Sequence, residues 1–130
     1  MKKLLIYLLI FCSVIALSAC TLREEKEVEY IKITPQEAQK MMQSDDVIIL
    51  DVRTQEEFEA GHIPNAVLLP DFEVQENAKY VIPDKEQIIL VYCLRGIRSE
   101  NASRALIEMG YTRIYDFGGI MDWDGEIVTR

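Results

Sequence analysis

The chain has 130 residues, one domain's worth, and 49 % of them are hydrophobic, enough for a core of its own. Fourteen basic against 22 acidic side chains give a net charge of −8, which disfavours nucleic acid as a partner because its phosphates would be repelled. With one histidine and three cysteines in the whole chain, no cluster has the ligand spacing of a zinc site, and neither a metal nor another cofactor is expected.

The chain opens with "MKKLLIYLLIFCSVIALSAC": Lys2 and Lys3, an apolar run from Leu4 to Leu17, then small residues. That run of 14 residues is short of the ~20 a membrane-spanning helix needs, and the whole pattern is that of a secretory signal. Its last four residues, "LSAC" (Leu17 to Cys20), resemble the lipobox of bacterial lipoproteins. The resemblance implies cleavage before Cys20, diacylglycerol modification of that thiol, acyl chains such as palmitate on the residue, and an extracytoplasmic chain anchored to the cell membrane. More than one acyl chain makes such anchoring stable, at ~0.8 kcal/mol per buried methylene. The expected organisation is therefore a signal over residues 1–19, a charged tether over 20–29 and one domain over 30–130.

Removing residues 1–19 takes away two lysines and no acid, leaving 12 basic and 22 acidic side chains and a net charge of −10. That balance suits a domain kept soluble beside a membrane. It also simplifies the cysteines. Cys12 leaves with the signal and Cys20 is acylated, so Cys93 becomes the one free thiol and no internal disulfide can form. In an exported chain an unpaired thiol points to reactivity or to an intermolecular partner.

Strand and helix signals then alternate. Tyr30 to Ile33 reads as a short strand. Thr34, Pro35 and Glu37 make a capping box with proline at the first helical position, so a helix is expected from Pro35 to about Gln43. "VIILDV" from Val47 is a β-branched, uninterrupted apolar run, as in a strand buried on both faces. "TQEEFEAG" predicts a short helix ending at Gly61, and "AVLLP" another strand. Asp71 to Lys79 reads as helix or loop. "QIILVY" (Gln87 to Tyr92) is a second buried strand. Ala102, Ala105, Leu106 and Met109 have helical spacing over Ser99 to Met109, closed by Gly110. "RIYDF" is a last strand and "GGIMDWDG" a closing turn or short helix. The alternation predicts an α/β domain on a mainly parallel sheet.

The chemistry gathers where the second buried strand ends. In open parallel sheets, ligands bind at the carboxyl ends of strands, and Cys93 stands at such an end. In "CLRGIR", Gly96 relieves the steric cost of a tight curl, and the loop amides can converge on one point in front of the next helix. Arg95 and Arg98 add positive charge, so a thiolate at Cys93 and an anionic group bonded to it are both favoured. Phosphoryl and sulfur transfer both use a cysteine loop closed by arginine. Four residues, Leu94 to Ile97, separate Cys93 from Arg98; so tight a loop fits one sulfur atom better than a tetrahedral phosphate.

Three ordered stretches resemble the single-domain rhodaneses: "DVRTQEEFEAGHIPNAVLLP", "VYCLRGIRS" and "GGIMDWDGEIV". The resemblance spans about Ile31 to Val128. It implies a three-layer α/β/α fold on a mainly parallel five-stranded sheet, and a sulfurtransferase moving sulfane sulfur from a donor such as thiosulfate to a thiophilic acceptor. It implies that Cys93 carries the persulfide, that Leu94, Arg95, Gly96, Ile97 and Arg98 form the anion- and substrate-binding loop, and that the partners are a small sulfur compound or an acceptor thiol protein. Leu94 stands where thiosulfate-using members often have a basic residue. Asn65 stands in place of the usual glycine after "HIP", a position where asparagine tolerates left-handed backbone. The alternative function is a non-catalytic or redox-partner binding module at the membrane surface, and a third is an arsenate- or phosphate-ester enzyme.

His62, the sole histidine, lies in the "GHIP" turn and is expected to be structural rather than a catalytic base. Asp51, Arg53 and Glu57 are expected to form a supporting ion-pair network, Arg53 and Glu57 being four residues apart.

Overall fold

The computed structural model describes Lys3, residues 28–44 and residues 46–130. Apart from Lys3, the expected signal lies outside the described residues, as do Cys20 and most of the tether. The two apolar runs form the middle of the sheet. Val47–Asp51 (β2) and Ile88–Cys93 (β4) pair in parallel from Val47 with Ile88 to Asp51 with Tyr92. Ile114–Gly119 (β5) lies on the other side of β4, and the short strands Ile31–Lys32 (β1) and Val67–Leu68 (β3) form the edges. The order is β1-β5-β4-β2-β3, with every pairing parallel. All six residues of β4 are buried, as expected of a central strand covered on both faces.

Helices supply that cover. Pro35–Ser44 (α1), Gln55–Ala60 (α2), Val74–Val81 (α3) and Ile97–Glu108 (α4) follow successive strands. Side chains of β4 alternate between two cores, as the pleat demands. Ile89, Val91 and Cys93 join Val74 and Ala78 of α3 and Ala102 and Leu106 of α4. Ile88, Leu90 and Tyr92 join Ala38 of α1. Each buried valine, leucine or isoleucine among them contributes roughly 1.5–3 kcal/mol.

The Thr34 capping box is present: the Thr34 amide donates to Glu37 Oε2 at 2.7 Å and the Glu37 amide to Thr34 Oγ1 at 3.2 Å. Asn65 has φ +66° and Gly110 φ +92°, so the turn after Pro64 and the end of α4 use the left-handed backbone expected of them. Asp71–Lys79, read as helix or loop, is helical: a 3-10 turn over Asp71–Glu73 runs into α3. Two boundaries differ from expectation. β5 continues past Phe117 through both glycines, and the closing element is a 3-10 turn over Ile120–Asp122. α4 starts at Ile97 rather than near Ser99.

Val28, Glu29 and Tyr30 line a groove with Arg104, Ile107 and Glu108, and the Arg104 guanidinium sits 5.6 Å from the centre of the Tyr30 ring. The chain therefore joins the domain beside the C-terminal end of α4. Among the described residues no helix is long and apolar enough to cross a membrane.

Candidate active site

Cys93 is the last residue of β4 and pairs with Gly119 of β5. Three residues, Leu94 to Gly96, separate it from α4. Such a reversal requires left-handed backbone, and Gly96 supplies it at φ +105°. The Gly96 amide then points back and donates to Cys93 Sγ at 3.0 Å. α4 has twelve residues and no side-chain cap at its start, so the positive end of its dipole is left uncovered beside the thiol. Negative charge on Sγ, or on an atom bonded to it, meets both a hydrogen-bond donor and that helix end.

Two neighbours fix the loop. The Ser99 hydroxyl, fully buried, donates to the Gly96 carbonyl at 3.0 Å and lies 3.4 Å from that of Gly118. The Met121 amide donates to the Leu94 carbonyl at 3.3 Å. Gly119 lets the loop lie directly on β5: a Cβ there would stand 2.6 Å from Arg95 Cα and 2.7 Å from the Leu94 carbonyl carbon. Cys93 itself is only 1 % exposed.

The arginines are placed differently from expectation. Arg98 lies inside the first turn of α4, and its two terminal nitrogens grip Glu57 at 2.7 and 2.8 Å. Its charge is thus matched by a carboxylate. Arg98 holds the Glu57 carboxyl down to about 2, against the cost of partial burial and with help from the Thr54 amide. Glu57 in turn raises Arg98, which also feels the Cys93 sulfur and Asp71. Arg95 is exposed and makes no hydrogen bond or ion pair with any described residue. Leu94 is half-buried and Ile97 exposed.

The supporting group also needs one correction. Arg53 does not pair with Glu57, because it precedes α2 instead of lying on it. Its Nε and Nη2 bind the Asp51 carboxylate at 3.0 and 2.7 Å, and Nη2 also donates to the Gly61 carbonyl at 2.7 Å. Both side chains are buried. Burial works against the Arg53 charge, and Asp51 more than offsets it. The Tyr92 hydroxyl donates to the same carboxylate and accepts from the Ile63 amide; burial, then the Asp51 charge, push its ionisation well above the ordinary range. His62 stacks on Phe58 with ring centres 3.7 Å apart, its Nδ1 is 2.7 Å from the Phe58 carbonyl, and its backbone pairs with Val128. None of its bonds goes to Cys93, in keeping with a structural turn.

Residues 34–126 match the Rhodanese-like domain. The chain belongs to the rhodanese-like family. It is 37 % identical over 95 residues to the thiosulfate sulfurtransferase GlpE of Coxiella burnetii, covering 72 % of this chain and 87 % of that one. It is 38 % identical over 73 residues to the thiosulfate sulfurtransferase PspE of Escherichia coli, covering 56 % and 70 %. A tRNA uridine(34) hydroxylase of Photorhabdus laumondii is 31 % identical over 108 residues, but this chain spans only 30 % of that protein. Among solved structures, a rhodanese with anions from E. coli aligns with TM-score 0.61 and 35 % identity, over 64 % of this chain and 98 % of that one. A rhodanese-like domain protein from Staphylococcus aureus aligns with TM-score 0.64 and 30 % identity, over 77 % and 98 %. The five-stranded parallel α/β fold expected of a rhodanese is thus present.

Sequence reasoning did not single out Thr54, Tyr92 or Ser99. Thr54 has a local signal, a second Thr-x-x-Glu capping box with Glu57. Tyr92 and Ser99 act through partners distant in sequence or through the loop itself and leave no local pattern.

Proposed function

We propose that this rhodanese-like domain is a sulfurtransferase carrying sulfane sulfur on Cys93 as a persulfide. The observation that carries the reading is the Gly96 amide donating to Cys93 Sγ at the uncapped start of α4. With thiosulfate as donor, the Cys93 thiolate attacks the outer sulfur. A bond forms between the two sulfurs, the donor's S–S bond breaks, and sulfite leaves with the electron pair. The terminal sulfur of the resulting persulfide is an anion beside the helix end. Cyanide or a thiolate then takes that sulfur and returns Cys93 as thiolate. Attack by a thiolate needs no histidine base, and the hydrogen bonds of His62 go to Phe58 and Val128. The gap of four residues between Cys93 and Arg98 favours one sulfur atom over a phosphate ester. The "LSAC" sequence supports extracytoplasmic attachment through acylated Cys20; loss of palmitate labelling in Cys20→Ser tests that part.

The test of the reaction is thiosulfate:cyanide sulfur transfer by wild type and Cys93→Ser, with mass spectrometry after thiosulfate alone. A gain of about 32 Da on the Cys93 peptide and loss of thiocyanate formation in the variant are expected. Equal activity of the two proteins would sink the proposal. A stable mixed disulfide at Cys93 without persulfide would instead indicate a redox-partner module.

A further inference from the structure

Asp71 is a charged side chain near Cys93 that belongs neither to the loop nor to its ion pair. Its amide donates to the Val52 carbonyl at 3.0 Å, and the Val52 amide donates to the Tyr92 carbonyl at 3.1 Å. These two bonds make a row across the end of the sheet, from the strand that bears Cys93 to Asp71. With strands about 4.8 Å apart, the row is roughly 10 Å long. Cys93, Val52 and Leu69 share one core, and Asp71 comes two residues after Leu69. The turn that bears Asp71 packs on α4, which covers that core. Arg98 accordingly feels both the Cys93 sulfur and Asp71. Asp71 is half-buried, and its carboxylate makes no hydrogen bond or ion pair with a described residue.

The other charges at the loop are balanced. Glu57 grips Arg98. Arg95 lines a hollow with Lys32, Glu100 and Asp116, two cations with two anions. Leu94 and Ile97 carry no charge. Asp71 is left over, and Asp122, exposed beside Met121, has the same sign. The Gly96 amide and the start of α4 favour negative charge on the sulfur bonded to Cys93. Asp71 acts farther out, on whatever the donor carries beyond the sulfur it gives up. Its repulsion grows in proportion to the charge of that group.

Resting on the persulfide reading above, we propose that Asp71 is a specificity-determining residue that sets doubly charged sulfur donors at a disadvantage against singly charged ones. Thiosulfate is the doubly charged case. A thiosulfonate anion, in which carbon replaces one oxygen of thiosulfate, is the singly charged one. With either donor the Cys93 thiolate attacks the outer sulfur and a bond forms between the two sulfurs. The donor's own S–S bond breaks, and its electron pair leaves with the departing group. Thiosulfate releases sulfite, with two negative charges, and a thiosulfonate releases a sulfinate, with one. Both leave the same persulfide on Cys93, and no oxidant or reductant enters either step. The two donors therefore differ at Asp71 chiefly in charge.

The experiment uses the full chain, cyanide as acceptor, and thiosulfate or methanethiosulfonate as donor. The ratio of kcat/KM for thiosulfate to that for methanethiosulfonate is compared among wild type, Asp71→Asn, Asp71→Lys and Asp71→Glu. Both donors are read on one sample, so the folded fraction cancels. Loss of one negative charge at roughly 10 Å is expected to raise the ratio about threefold in Asp71→Asn at low ionic strength. Asp71→Lys is expected to raise it further, and Asp71→Glu to leave it near the wild-type value. In about 1 M salt, where the Debye length is about 3 Å, the ratios are expected to converge. A ratio that stays at the wild-type value in both Asp71→Asn and Asp71→Lys overturns the assignment. So does a change that Asp71→Glu shares, or one that salt leaves intact. Turnover of neither donor by wild type overturns the persulfide reading instead.

Discussion

Two strand-to-helix junctions stand side by side at the C-terminal edge of the sheet, and they are built on opposite plans. After β2, nearly every polar group is answered from within. Asp51 binds Arg53 and Tyr92, and the first turn of α2 is closed by Thr54 and Glu57 in a reciprocal box. After β4, the helix begins on a glycine, has no side-chain cap, and turns one amide onto a thiol. The first junction is closed and holds the architecture. The second leaves its donors and its helix dipole open to whatever is bonded to Cys93. The Glu57–Arg98 pair ties them together, so the closed junction braces the open one.

The comparison breaks most readily at Asp51. Asp51→Asn keeps the shape but leaves Arg53 a buried cation without its counter-charge, and the expected cost is about 3–5 kcal/mol of stability. Urea denaturation measures it, while sulfur transfer per folded molecule stays near wild type; an unchanged midpoint would mean that the closed junction does not hold the fold. Gly119→Ala probes the other side. A methyl group there pushes Leu94 and Arg95 off β5, and a displacement of about 1 Å at a reacting group costs on the order of a hundredfold in rate. The expected result is that loss in kcat/KM with the Cys93 thiol still titratable; activity within threefold of wild type would show that the loop's seat on β5 is immaterial.

The smallest effect belongs to the brace. Glu57 is lowered from 4.5 to about 2 in the fold, chiefly by the hydrogen bonds from Arg98. Because the folded value lies below the unfolded one, the contribution is fully present above pH 4.5 and is lost as pH falls toward 2. Both partners are partly exposed, so Glu57→Gln is expected to cost no more than about 1 kcal/mol at pH 7. Urea midpoints of wild type and variant at pH 7, 4 and 2.5 are expected to converge on acidification. A gap independent of pH would mean that the Glu57 charge is not what holds Arg98.

Much of this was legible in the sequence where the cause is local. The β-branched runs of β2 and β4, the Thr34–Glu37 box, the left-handed Asn65 and the glycine of the Cys93 loop each depend on a few neighbouring residues, and each is found as expected. The partner of Arg98 was not legible, since Glu57 lies 41 residues away in the chain and the two meet only because β2 and β4 are adjacent. The pairing of Arg53 with Glu57 failed for a related reason. A spacing of four implies contact only when both residues lie on one helix, and α2 begins after Arg53. The double glycine was visible as a motif, but the need for Gly119 follows from its register with Cys93, which no local pattern carries.

The direction of α4 has a consequence for how the molecule is oriented. Its first turn lies at Cys93 and its last beside Val28, where the chain enters the domain. Twelve residues of helix put about 18 Å between these poles. A domain held by its N-terminal segment, on a lipid or on an affinity matrix, is therefore moored at one pole and presents its thiol at the other, facing outward.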